Sequence, residues 1–227
     1  MKIVLTPDWF LGKDVMIDSF SFLVLLAFVI LCWRSYKTKK NRGSLYLGVG
    51  FLSIALAQLA SIMTKLVLYY DTTFIQQIGQ VIVTSHVVES VDIFYKAGFF
   101  FSKFLTLLGL FVIYKIPDKK KRTIDFFIAV YLIILSALIS SDMYYLYHLS
   151  VVLFLILIIG NFYSVYQKNK STNTKILIIA LGMLGSGNFI MLLAQVGMLF
   201  VLGNLIELAS YLMLLFLAIR ILRADKN

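Results

Sequence analysis

The chain has one cysteine, Cys32, and two prolines, Pro7 and Pro117, in 227 residues. A lone cysteine excludes an internal disulfide and any CxxC metal or redox pair. The two histidines, His86 and His148, are too few for a structural zinc site. They also make a poor haem pair, which needs axial ligands on facing helices, because His86 falls in a connection. Charge is scarce as well: 14% of residues are Asp, Glu, Lys or Arg, against about 25% in a soluble domain. HExxH, the nucleophile elbow, the phosphate-cradling glycine loop and an Asp-rich cluster are all missing. These absences leave no catalytic residue, metal site or cofactor to nominate, so the chain does not read as an enzyme.

What remains is apolar. Hydrophobic residues make up 61% of the chain and the mean hydropathy is +0.93. A bilayer-crossing helix needs about 20 mostly apolar residues, and seven segments qualify: 15–35, 44–70, 92–115, 123–140, 143–166, 175–202 and 204–223. Open strands cannot satisfy their backbone in lipid, and period-two alternation is missing, so the spans are helices. The expected fold is an all-α integral membrane bundle of seven transmembrane helices, a single domain over 1–227 with no soluble domain. Ser140-Ser141-Asp142 and Gly203-Asn204 read as the turns after the fourth and sixth spans. Residues 71–90, DTTFIQQIGQVIVTSHVVES, form a long outer connection: VIVTSHVV has strand-like β-branched content, and IQQIGQVIV suits an interfacial helix equally. Either form would fold over the outer mouth of the bundle.

Basic residues set the orientation. With the N-terminus outside, the inner segments carry 16 of the 21 Lys and Arg residues, in clusters around Arg34–Arg42, Lys115–Arg122, Lys168–Lys175 and Arg220–Lys226. The expected location is a cell membrane, multi-pass, with the N-terminus extracellular and the C-terminus cytoplasmic. The net charge of +10 is then a topology and lipid-headgroup signal. Its clusters flank spans and carry no nucleic-acid motif, so nucleic acid is excluded as a partner.

Ionisable residues inside spans are costly and face the bundle interior. Lys103 sits mid-span, roughly 15 Å from either headgroup zone, too far to snorkel. At 100° per residue Lys96 and Lys103 share one face of the third span with Glu89 and Asp92. Gln58 and Lys65 share a face of the second span, Asn188 and Gln195 a face of the sixth. Asp18 lies near the outer end of the first span and Glu207 in the seventh. These eight, Asp18, Gln58, Lys65, Lys96, Lys103, Asn188, Gln195 and Glu207, are the candidate ligand-binding residues. Together they outline a polar chamber in the outer half, with Lys103 at its floor. The alternative for the same residues is an ion-pair and amide network that fixes helix packing.

One stretch is nearly repeated. LGVGFLSIALAQL (47–59) and LGSGNFIMLLAQV (184–196) share six of thirteen positions without a gap. They fall on the second and sixth spans, which run in the same direction, as a duplicated three-helix unit joined by one linking helix requires.

The N-out seven-helix layout resembles microbial rhodopsins. That family holds retinal on a lysine of the seventh helix, where NLIELASYLMLLFLAIRIL has none. The 3+1+3 arrangement is also similar to SWEET-class sugar transporters, built from parallel repeats, although neither proline here precedes glutamine as in the wider family's signature. WRSYKTKKNRGSLYLGVGFLSIALAQL (33–59) resembles the first-to-second helix passage of seven-helix sensor regions in prokaryotic histidine kinases. Leu184-Gly185-Ser186-Gly187 is similar to the GxSG motif of rhomboid proteases. Leucine replaces its first glycine and no histidine follows, so Ser186 reads as a packing residue. The outer polar chamber and the long outer connection point to a receptor-like protein that binds a small or lipid-borne ligand in an outward-facing polar cavity and acts through a cytoplasmic partner. The alternatives are a small-solute transporter with a midplane site, and an accessory subunit packed against another membrane protein. Membrane lipids are expected contacts in every case, and the sequence sets no oligomeric state.

Overall fold

A computed structural model describes the backbone of residues 7–10, 12–40, 42–78, 85–116, 123–139, 143–193 and 197–224, and most of their side chains outside 68–78, 85–94, 123–126 and 222–224. A 3-10 turn (Asp8–Phe10) leads into α1 (Lys13–Lys39), followed by α2 (Arg42–Ile78), α3 (Ser85–Tyr114), α4 (Thr123–Ile139), α5 (Tyr144–Asn169), α6 (Thr172–Leu192) and α7 (Gly197–Ala224). Among the described residues there is no strand. Among the described residues six helices, α1, α2, α3, α5, α6 and α7, are long and apolar enough to cross a membrane, and α4 shows a shorter apolar stretch, Ala129–Ile139. Their outward faces carry large apolar side chains: Met16, Leu23 and Ile30 repeat every seven residues along α1, and each is more than 60% exposed. Such a surface suits lipid rather than water, and the molecule is a membrane-embedded helical bundle.

Two expected connections contain helix, one of them in place of a turn. Of the segment 71–90, residues 71–78 continue α2 and residues 85–90 begin α3, so any non-helical link is confined to 79–84, outside the described residues. Continuing the α2 ladder satisfies backbone groups that a loop would have to expose. Gly203 and Asn204 lie inside α7, and α6 ends at Leu192. Gly203 marks a close approach, not a turn: a Cβ there would come within 3.2 Å of the Gly187 carbonyl oxygen on α6. Asn204 donates to the Phe200 carbonyl one turn back. The turn 140–142 falls outside the described residues.

Sequence neighbours pack antiparallel. In α1 and α2, Ser35 faces Ser44 at one end and Asp18 faces Lys65 towards the other. Gly50 meets Gly109, and Thr64 meets Gly98, between α2 and α3. His148 meets Asn188 between α5 and α6, and Ala180 meets Ser210 between α6 and α7. Two extended seams join helices distant in sequence, and both are parallel. Along α3 and α5, Lys103 faces Tyr147 and Tyr114 faces Asn161. Along α1 and α7, Phe10 and Ile17 cluster with Val201 and Leu208. The six long helices therefore close a ring in the order α1, α2, α3, α5, α6, α7, with α4 outside it against α3 and α5. Packing is extensive within α1–α2–α3 and within α5–α6–α7, and sparser along the α1–α7 and α3–α5 seams.

The ring has two unlike ends. The basic end holds the α1–α2 and α5–α6 links, with Lys40, Arg42, Lys170 and Lys175. Above it lies one apolar cluster that includes Leu25, Phe28, Leu110, Leu155, Ile158 and Leu214. The opposite half, called the polar end below, carries most of the buried polar side chains, Asp14, Asp18, Thr64 and Asn188 among them.

Candidate functional site

α1 opens at Gly12, whose φ of 83° suits glycine and whose N–H donates to Asp14 Oδ1 at 3.1 Å. The cap orients Asp14 towards α2. One turn on, Asp18 shares that face, as i, i+4 residues do. Lys65 of α2 reaches both: its Nζ lies 3.2 Å from Asp14 Oδ2 and 2.7 Å from Asp18 Oδ2. Ser61, one turn from Lys65, donates to Asp18 Oδ2 at 3.0 Å. Asp14 has no exposed surface and the Lys65 side chain 15%. At that burial the ions are tolerable only because they are paired and hydrogen-bonded.

A second group joins α5, α6 and α7. Asn188 donates through Nδ2 to Glu207 Oε1 at 2.6 Å and to the Leu184 carbonyl at 3.1 Å. Its Oδ1 lies 2.9 Å from His148 Nδ1. An amide oxygen only accepts, so in this contact Nδ1 carries the proton and donates.

The two groups meet across the ring. Gln58 Nε2 of α2 donates to the Tyr211 hydroxyl of α7 at 3.4 Å. Glu207 interacts electrostatically with Asp18 and Lys65, and His148 with Lys103. Lys103 Nζ lies 5.8 Å from the ring centres of both Phe99 and Tyr147, within cation–π range. Tyr147 ties α5 to Lys103 of α3, and the Thr106 hydroxyl donates to the Ser102 carbonyl one turn back. Every helix of the ring thus contributes to one polar layer. Among the described residues no buried side-chain nitrogen or oxygen lacks a partner.

Six of the eight candidates from the sequence, Asp18, Gln58, Lys65, Lys103, Asn188 and Glu207, stand in this layer. Lys96 is exposed, at the end of the apolar stretch of α3, which starts at Tyr95. Gln195 lies beyond α6 and outside the described residues, as do the side chains of Glu89 and Asp92. The layer adds Asp14, Ser61, Thr106, Tyr147, His148 and Tyr211. Asp14 carried a readable signal, an acid four residues before Asp18. The two tyrosines carried none, because their hydroxyls find partners on other helices. The near-repeat falls at unequal depths: Leu47 is five residues past the start of α2, and Leu184 twelve past the start of α6.

Among the described residues, no group of three or more His, Cys, Asp or Glu side chains is placed to hold a metal ion. No protein-family model, curated protein or solved structure matches the chain. Chemically, the layer offers carboxylates, ammonium groups, two amides and aromatic faces within about two helical turns, roughly 10 Å, enough to engage a small polar molecule at both its charged and its hydrogen-bonding ends.

Proposed function

We propose that the chain is a receptor-like integral membrane protein, N-terminus outside and C-terminus cytoplasmic, that binds a small or lipid-borne ligand at its polar layer and acts through a cytoplasmic partner at its basic end. The observation that carries this reading is the convergence of polar side chains from all six ring helices above an apolar half. A network that served only to fasten neighbouring helices would not need to cross the ring, yet Gln58–Tyr211 does. Seven spans are the natural count: α3 and α5 run parallel, so the chain must return between them, and α4, about 25 Å long at 1.5 Å per residue, is the segment available. The parallel seams also support two three-helix repeats, α1–α3 and α5–α7. The basic clusters at one end support a cytoplasmic placement of that end.

A melting-temperature screen on protein in lipid nanodiscs tests the binding claim, using amino acids, carboxylates, primary amines and lysophospholipids as probes. A ligand present at a hundred times its dissociation constant adds about 2.7 kcal/mol, so at least one class should raise the melting temperature by several degrees, and Lys103→Met should abolish the rise. If no class moves it, the receptor reading fails. Orientation is checked separately. In a Cys32→Ser background, an impermeant maleimide on intact cells should label Lys13→Cys and spare Thr38→Cys.

The sparser α1–α7 and α3–α5 seams favour a second reading. Two well-packed halves meeting along weaker contacts can rock about a site between them, the geometry of a small-solute transporter. Counterflow in proteoliposomes, lost with Lys103→Ala, would select transport over signalling.

A further inference from the structure

The α1–α2 and α5–α6 hairpins share one register. α1 and α5 each lead into a lysine with left-handed backbone, Lys40 at φ 48° and Lys170 at φ 45°. Each lysine N–H donates to a tyrosine carbonyl, Tyr36 and Tyr166. One turn before each tyrosine stands an aromatic partner, Trp33 at 6.3 Å and Tyr163 at 6.5 Å. The next helices begin at Arg42 and Thr172. Every one of these pairs is 130 positions apart. The same spacing aligns Asp18 with His148 and Gln58 with Asn188, so the two polar groups stand at matching positions of the two hairpins.

α3 and α7 align at a spacing of 104, which sets the buried row Leu107, Leu110, Ile113 on Tyr211, Leu214, Leu217. The seams agree with both spacings. Ile17 of α1 clusters with Leu208 of α7. Tyr147, the counterpart of Ile17, meets Lys103, next to Phe104, the counterpart of Leu208. This register differs by seven residues from the 47–59 and 184–196 echo, which explains why the echo falls at unequal depths.

The apolar half obeys the same rule. Leu25 pairs with Leu155, Phe28 with Ile158 and Phe51 with Leu181, each no more than 4% exposed and all in one contiguous cluster. Leu110 and Leu214, equivalent across α3 and α7, are each 1% exposed in that cluster. A plug packed to this degree leaves no room for water, and apolar constrictions close a path by excluding it. We infer that the equivalent buried pairs Leu25–Leu155, Phe28–Ile158 and Phe51–Leu181 form a gate with two equivalent leaves, one from each copy of a duplicated three-helix unit, closing the polar layer off from the basic end. It opens when the halves part along the α1–α7 and α3–α5 seams. The inference rests on the transport reading, yet the gate can be tested without any solute.

Ser61→Cys in a Cys32→Ser background places a thiol in the polar layer. Its reaction with a small charged methanethiosulfonate applied from the basic end, in oriented proteoliposomes, reads the gate. Leu25→Ala with Leu155→Ala removes one residue from each leaf. Leu31→Ala with Leu177→Ala removes the same volume from a non-equivalent pair in the same cluster. The modification rate from the basic end should rise about tenfold in the first pair, as a shift of a closed–open equilibrium gives, and stay unchanged in the second. An unchanged rate in the first pair, in protein that remains monodisperse with a cooperative melt, overturns the gate, and so does an equal rise in both. Should the first pair fail to fold, Leu25→Val with Leu155→Val carries the same comparison with a smaller cut. A thiol that opens to the reagent while no solute crosses in counterflow keeps the gate and retires transport.

Discussion

Lys65 of α2 lies 2.7 Å from Asp18 and 3.2 Å from Asp14, and so fastens two turns of α1 with one ammonium group. Removing the cation leaves two carboxylates facing each other in an apolar surrounding. Breaking a buried pair in this way costs about 3–5 kcal/mol, and Lys65→Met should lose that much in reversible unfolding from bicelles. Asp18→Asn should lose less, since Lys65 keeps Asp14. The triple change Asp14→Asn, Asp18→Asn, Lys65→Met should recover more than half of the loss. A Lys65→Met protein within about 1 kcal/mol of the parent would mean that the triad contributes little to the fold.

Gly50 and Gly109 hold α2 and α3 at backbone contact. A Cβ on residue 109 would sit 2.6 Å from the Gly50 carbonyl oxygen and 2.7 Å from Ile54 Cγ1. Neither the backbone nor a buried β-branched side chain can yield cheaply, so Gly109→Ala should destabilise by about 1–3 kcal/mol. Gly160→Ala is the matched control: nothing lies within 4 Å of its Cβ. Helix propensity alone then predicts a gain of up to about 1 kcal/mol. Melting curves of the two variants should move in opposite directions.

Asn188 holds His148 and Glu207 at once. Asn188→Leu strips both of a partner, and the desolvation of two polar groups costs about 1–3 kcal/mol each. Asn188→Asp sets a second carboxyl beside Glu207 where an amide donor stood. Both variants should melt below the parent, and adding Glu207→Leu to Asn188→Leu should restore part of the loss. Additive losses in that double variant would show that the contact is not coupled.

Lys40 and Lys170 occupy left-handed backbone, where a side chain costs about 1–2 kcal/mol and glycine costs little. Lys40→Gly and Lys170→Gly should each stabilise the protein by up to about 1 kcal/mol. Equal gains are expected if the two hairpins are copies. Chemical denaturation of each variant in bicelles measures the difference.

Hydropathy located the helices well, because lipid selects continuous apolar runs that a plain average detects. It misjudged the α6–α7 boundary for the same reason. Residues 193–196, LAQV, are mostly apolar and merge with their flanks, while Gly203-Asn204 has the composition of a turn. Only packing separates a glycine that turns the chain from one that lets Gly187 approach. Helical phase brought Gln58, Lys65, Lys103, Asn188 and Glu207 inward, since facing inward is a property of one helix. Partner choice is a property of two. That Lys65 takes Asp14 and Asp18, and that Lys103 lies against Phe99 and Tyr147, depends on which helices are neighbours, and no single span records it. The 47–59 and 184–196 echo and the 130-residue spacing of the two hairpins set the same helices in different registers. Leucine, alanine and glycine recur too often in these helices to fix an alignment, whereas the left-handed caps at Lys40 and Lys170 are a rarer shared feature.

The division of the polar layer also bears on how the chain is made. Helices leave the ribosome in order, and an unpaired charge is hard to release into lipid. Asp14, Asp18 and Lys65 are neutralised within the first two helices, and His148, Asn188 and Glu207 find one another within the last three. Each half can therefore settle its own polar groups soon after synthesis. Contacts that span the chain, such as Gln58 with Tyr211 and Lys103 with Tyr147, can form only once helices of the second half are present.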